Sequence, residues 1–408
     1  MSERAGSANA RARVGAAAVL AASGASLLLG AARADNHWFE RHVILPFYFV
    51  RPAHLPAAVR TAAVLAGVAL LAAAWRLWRA RRAPDPGPAA RPRSPAQWPA
   101  ILGALAASLV AAEVVLRTFD VSGEGPAWSG YELKVGQPDS RYGWAAVPGR
   151  TTTITVAGRN YQYAVNALGV RAARPDQRLD LAAPTLLVTG ESIASGYGLD
   201  WEDTFAARCG RALGLQVVDV AEGGYGVDQA YLRATDLLTR LARPVAVVTV
   251  FVPAELGRSL RADRPRLVLD DRGALTFRPP ANELLSGLRL VSLFRYRLPL
   301  ATSAEVEGAQ ALARTVFAAT AAAARARGAV PLFVVIAGEG STEREALSRA
   351  LFEAPGLPYV TVDLQAEDVI PRDGHPNARG AHKLADAIAA ALRAGIGGGA
   401  SVADDQRR

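Results

Sequence analysis

Apolar positions in this chain follow two regimes. Up to about residue 118 they run in long stretches: Val14 to Ala32 without a charge, Thr61 to Trp75 between Arg60 and Arg76, and Trp98 to Leu116 with Glu113 as its one acid. A helix that crosses a bilayer needs about 20 mainly apolar residues. The pattern therefore predicts three transmembrane helices, at 14–32, 59–77 and 98–116, within a membrane anchor spanning 1–118. The middle stretch is short, but its flanking arginines can lay their stems along the helix and keep their charges at the interface.

From Phe119 onward short apolar runs alternate with helical periodicity. Thr151 to Val156 and Tyr161 to Val165 read as a hairpin around Ala157-Gly158-Arg159-Asn160, inside a β-rich connecting segment over 119–183. Over 184–394, Leu186 to Thr189, Val217 to Val220, Val245 to Val252, Val330 to Ile336 and Tyr359 to Val362 read as buried strands. Helical stretches separate or follow them: Trp201 to Leu213, Asp228 to Leu241, Ala304 to Arg327 and Ala378 to Leu392. This alternation predicts an α/β fold with a parallel sheet covered on both faces. Arg264 to Arg278 reads as a further hairpin, turning at Asp270-Asp271-Arg272-Gly273, and the Gly-rich 395–408 as a disordered tail.

Charge sharpens the first regime. The chain of 408 residues is 51% hydrophobic and carries a net charge of +9. Residues 1–118 hold 14 Arg against 5 acids, which accounts for all of that excess; the rest has 32 basic and 32 acidic residues. Positive charge confined to the flanks of apolar stretches is topology information, and argues against a nucleic-acid partner. Arginines cluster before the first stretch and in the loop after the second, which places the N-terminus and residues 76–97 in the cytoplasm. Everything after the third stretch then lies on the periplasmic or extracellular side of a bacterial cell membrane. Cleavage of the first stretch as a signal peptide near Ala32-Arg33-Ala34 would leave that topology unchanged. Cys209 is the only cysteine, so an intrachain disulfide is excluded.

Candidate chemistry sits after the strands, where parallel sheets bind ligands. The first strand leads into Val188-Thr189-Gly190-Glu191-Ser192, a tight turn that offers a hydroxyl near a helix start, where backbone N–H groups can hold an oxyanion. The second leads into Glu222-Gly223-Gly224-Tyr225-Gly226, whose glycines allow close approach to a ligand. After the last comes Asp373-Gly374-His375, a histidine with an acid two residues earlier, able to act as an oriented base. His375 and His382 are the only histidines after residue 118. His382, at the start of the last helix, reads as structural.

These three blocks, in this order, resemble those of the SGNH, or GDSL-type, hydrolase family, over roughly Leu186 to Leu392. The resemblance implies a flavodoxin-like three-layer fold, Ser192 as nucleophile, His375 as base, Asp373 as the acid that orients it, and an oxyanion hole built from the N–H groups of Ser192 and Gly224. A metal has little support, since His375 and Asp373 could ligate one but no third ligand is in sight, and no cofactor is expected. Gly190-Glu191-Ser192 stands where the family has Gly-Asp-Ser, a departure that keeps the charge. At the family's third block, where an Asn side chain completes the oxyanion hole, this chain has Phe251-Val252-Pro253-Ala254-Glu255. Ala254 has no donor to offer, and Glu255 reads as a solvated loop acid. The function implied is a membrane-anchored serine esterase or O-acyltransferase acting on ester-linked acyl groups of an envelope carbohydrate or lipid. The loss at Ala254 motivates the alternative of a catalytically degenerate binding or assembly protein on the same fold. A lipid thioesterase would use the same triad, but acyl-CoA lies on the other side of the membrane.

Overall fold

The computed structural model describes residues 2–33, 55–80, 97–118, 135–281, 288–291, 303–337, 342–371 and 373–405. They belong to two compact units, one holding three N-terminal helices and the other everything from residue 135 onward.

In the first unit, α1 (Ser2–Arg33), α2 (Leu55–Ala80) and α3 (Gln97–Thr118) occupy the three apolar regions. α1 and α2 run antiparallel: Gly24 meets Gly67 near their middles, and Arg60 Nε donates to the Ala31 carbonyl at 2.9 Å. A Cβ at Gly24 would lie 2.8 Å from the Gly67 oxygen, so only glycine permits this approach. Val59–Arg76 is long and apolar enough to cross a membrane, and Ala17–Arg33 is a shorter apolar helix. Among the described residues that is one candidate span where three were expected. The expected spans 14–32 and 98–116 begin in residues whose side chains lie outside the described set.

The second unit is built on an eight-stranded sheet. Its strands are β3 (Thr151–Val156), β4 (Arg159–Val165), β5 (Arg171–Ala172), β6 (Pro184–Thr189), β7 (Gln216–Asp219), β8 (Arg243–Phe251), β11 (Val330–Ala337) and β12 (Tyr359–Asp363), in the order β12-β11-β8-β6-β7-β5-β4-β3. The five strands from β12 to β7 are parallel, as expected. The sheet does not end there. β5 pairs antiparallel with β7 at Arg171 and Asp219, and β4 and β3 continue it. The parallel sheet is thus a mixed one, and the β-rich connecting segment belongs to the same unit as the strands that follow it. Hairpins β1–β2 (Gly136–Asp139, Gly143–Ala146) and β9–β10 (Arg266–Leu269, Leu275–Arg278) stand apart, the latter where the turn at Asp270 predicts it.

Period-two alternation sends successive strand residues into opposite layers. Leu186, Val188, Ala246, Val248, Val250, Val334 and Ile336 pack against α4 (Phe205–Leu213) and α9 (Ala378–Asp405). Phe251, Phe333 and Val335 face the other way, against α5 (Val227–Leu238) and α7 (Ser303–Ala326). Hence the strands read as continuous apolar runs. The helix expected over 201–213 is a 3₁₀ turn (Trp201–Asp203) followed by α4, because the Thr204 hydroxyl accepts the Ala207 N–H and starts a new helix there. At the other end α9 continues to Asp405 through the stretch expected as a disordered tail, since each residue added to a nucleated helix gains a hydrogen bond.

Candidate active site

Ser192 lies just past the C-terminal end of β6, the strand from which the chain crosses first to β7 on one side and then to β8 on the other. Gly190 makes the exit possible: its φ is +140°, and a Cβ there would meet the Val250 oxygen at 2.7 Å. The hydroxyl was expected near a helix start. Instead, residues 191–198 form successive turns, with Ser195 N bonded to Glu191 O at 3.0 Å and Tyr197 N to Ser192 O at 2.9 Å. Arg171, buried on β5, closes this turn region by donating to the carbonyls of Ser195, Gly196 and Leu199.

The loop after β12 brings His375 to the same point. Ser192 Oγ lies 2.7 Å from His375 Nε2, and His375 Nδ1 lies 2.7 Å from Asp373 Oδ1. Ile370 N bonds to His375 O at 2.8 Å, and the Asn377 side chain caps α9 by accepting the N–H groups of Arg379 and Gly380. The imidazole is thus held by the loop below it and by Tyr197, whose ring centroid lies 4.5 Å away. Burial tends to raise the Asp373 pKa, but the hydrogen bond and charge of His375 outweigh it and hold the carboxyl below its ordinary range. His382 lies elsewhere, beside Asp386 and Arg208.

Glu191 and Glu255 differ from expectation. Glu255, read as solvated, is 1% exposed, because its carboxylate turns back to accept the Val252 N–H at 2.9 Å. Burial, and then the negative charge of Glu191, push its pKa well above the usual carboxylate range. Glu191 is fully buried in contact with the Ser192 hydroxyl; it accepts the Ile193 N–H at 2.9 Å and faces Arg258 Nη1 at 3.3 Å. Burial tends to raise its pKa, but Arg258, His375 and these hydrogen bonds outweigh that and keep it low. Ser192 has one proton and two acceptors. The low pKa of Glu191 makes its carboxylate a poor acceptor for that proton, which leaves His375 Nε2, at 2.7 Å, as the base.

Gly224 is held from outside the parallel strands. Trp144, on β2, donates its indole N–H to the Gly223 carbonyl at 3.0 Å. In a trans peptide the next N–H points the opposite way, so this bond aims the N–H of Gly224 away from Trp144. The Tyr225 hydroxyl returns a bond to the Trp144 carbonyl at 2.6 Å, and Glu222 accepts the Ala146 N–H at 3.1 Å. Trp144→Phe keeps the ring and removes the donor. It is expected to lower kcat for an aryl ester about tenfold, the equivalent of one lost hydrogen bond, with KM unchanged. An unchanged kcat would mean that the peptide is held without the indole.

The three blocks thus meet as a nucleophile, an oriented base and a glycine loop, an arrangement suited to acyl transfer. Trp144, Arg171 and Arg258 carry no motif that marks them; they reach the site only through the fold. Among the described residues no group of three or more His, Cys, Asp or Glu side chains is placed to hold a metal ion.

No family model matches the chain, and no curated protein does. Solved structures similar to it include an acetyl xylan esterase (Est2A) from the rumen bacterium Butyrivibrio proteoclasticus, at 14% identity and a TM-score of 0.33 over 54% of this chain and 66% of that one. A protein assigned to the G-D-S-L lipolytic family from Desulfitobacterium hafniense is 11% identical, with a TM-score of 0.29 over 51% of this chain and 98% of that one. A carbohydrate esterase family 2 enzyme from Corynascus thermopiles (Myceliophthora fergusii) is 18% identical, with a TM-score of 0.30 over 53% and 68%. At this degree of likeness it is the geometry of Ser192, His375 and Asp373 that bears on function.

Proposed function

We propose that this chain is a membrane-anchored serine esterase or O-acyltransferase of SGNH type, acting on ester-linked acyl groups of an envelope carbohydrate or lipid. The observation that carries this is the unbroken series Ser192 Oγ, His375 Nε2, His375 Nδ1, Asp373 Oδ1, with both gaps at 2.7 Å and Ser192 lying 183 residues from His375 in sequence. His375 takes the Ser192 proton as Oγ attacks the ester carbonyl. Asp373 fixes the imidazole tautomer and balances its charge. The N–H groups of Ser192 and Gly224 receive the oxyanion. His375 then protonates the departing alcohol, and water or a sugar hydroxyl takes the acyl group by the reverse sequence.

The reading of three membrane passes with the site on the outer side rests on the arginine distribution; among the described residues, one span, within α2, is long and apolar enough to cross a membrane. The small-residue contact of α1 with α2 is of the kind that lets membrane helices approach closely. On both helices Val19, Leu29, Val64, Leu65 and Val68 point outward, 41–66% exposed, which suits a lipid surround.

A second reading, a binding protein that has lost catalysis, is favoured by Ala254. A membrane-impermeant fluorophosphonate probe applied to spheroplasts separates the two. The expected result is a covalent adduct on Ser192, identified by mass spectrometry, and none on Ser192→Ala. Labelling that needs permeabilisation would reverse the topology; equal labelling of both chains, or of neither, would remove the esterase.

A further inference from the structure

The glycine loop and the nucleophile turn are bridged by a cation. Arg258 sits on α6 (Ala254–Ser259), the short helix after β8, with its side chain 26% exposed. Its Nη1 lies 3.3 Å from Glu191 Oε2, beside the nucleophile, and 3.3 Å from the Tyr225 carbonyl, beside Gly224. The guanidinium therefore lies between the two segments that present N–H groups to the oxyanion. Among the described residues only Nη1 has partners, which leaves Nη2 and Nε with hydrogens to give. The helix beneath it is fixed: Glu255 holds the Val252 N–H, and Ser259 Oγ bonds to buried Asp228 at 3.1 Å.

Position 254 adds a second argument. Residues four apart share a face of a helix, so Arg258 projects from the same side as Ala254, one turn on. A side chain too short to donate is followed at that spacing by one long enough to reach back.

We propose that the Arg258 guanidinium is the third oxyanion donor of this site, supplying from position 258 the stabilisation that Ala254 lacks. This rests on the esterase reading above. As Ser192 Oγ bonds to the carbonyl carbon, the carbonyl π pair moves onto oxygen and the Oγ proton moves to His375. The new negative charge forms beside Arg258 and is lost again when the oxyanion collapses and expels the alcohol. A full positive charge stabilises it more than an amide N–H would.

The competing role is structural: Arg258 as nothing more than the counter-ion of buried Glu191. Kinetics of p-nitrophenyl acetate hydrolysis by the full chain in detergent distinguish the two. Arg258→Met, which keeps the aliphatic stem, is expected to lose about a hundredfold in kcat with KM within twofold. Adding Ala254→Asn to it is expected to recover at least tenfold, since the amide donates from the same helix face. Adding Glu191→Gln is expected to recover nothing. Recovery by Glu191→Gln, or full kcat in Arg258→Met, overturns the proposal in favour of the counter-ion role. Should thermal unfolding show Arg258→Met to be misfolded, Arg258→Lys keeps a cation beside Glu191 and is still expected to lose about tenfold; wild-type kcat in that variant also overturns it. A wild-type chain that neither turns over ester nor takes the phosphonate probe fails the esterase reading itself, and the role of Arg258 falls with it. Failure of the Arg258 role alone leaves wild-type turnover intact.

Discussion

Replacing Ser192 with alanine is expected to lower kcat for ester hydrolysis by about 10⁶, with the fold intact. In the proposed mechanism the hydroxyl is the group that forms and breaks a covalent bond with the acyl carbon, so without it only binding and oxyanion stabilisation remain. Its neighbours keep their other partners: Glu191 retains the Ile193 N–H and Arg258, and His375 retains Asp373. Near-normal thermal unfolding beside absent turnover separates a lost nucleophile from a lost structure. Nucleophile and base act as one unit, so the Ser192→Ala/His375→Ala pair is expected to be no slower than either single variant. A multiplicative loss in the pair would show that His375 acts on its own.

Asp373→Asn is expected to cost about 10⁴ in kcat while leaving KM nearly unchanged. The carboxylate accepts the proton on His375 Nδ1 and so leaves Nε2 free to receive one from Ser192. An amide can turn its NH₂ toward Nδ1 and stabilise the other tautomer, with the proton on Nε2 and no base facing the hydroxyl. Steady-state kinetics of a variant shown to be folded decide it; retention of a tenth or more of wild-type kcat would mean that another group orients the imidazole.

The meeting of Ser192, His375 and Asp373 was legible in the sequence because each lies in a short motif and the motifs follow strands whose β-branched runs are unmistakable. The three layers were legible for the same reason: Leu186, Val188 and Val250 need an apolar neighbour on one face as much as Phe251 and Val335 do on the other. What local pattern could not give is pairing. Thr151 to Val165 reads as a hairpin, yet nothing in it says that the hairpin joins the main sheet through Arg171 and Asp219. Glu255 was misread because its burial depends on where its own backbone turns back, and an acid between Ala254 and Leu256 looks like any loop acid. Arg258 and Trp144 are invisible for a related reason: their partners lie 67 and 79 residues away in sequence. The Thr204 cap was a signal present in the sequence, a threonine directly before an apolar-periodic stretch.

The junction of β5 with β7 bears on where this chain can be cut. Asp219 there is buried, which pushes its carboxyl up to about 7, and Arg171 crosses from the neighbouring strand to close the nucleophile turn. A fragment trimmed to begin at the first parallel strand would keep every residue of the triad. It would also take away β5, whose Arg171 pairs with Asp219 at the end of β7, and β4 and β3 beyond it. Trp144 and Arg171 would go with the discarded piece. A soluble form therefore has its natural start ahead of residue 135, and one cut at 184 lacks two side chains that hold the loops of the site.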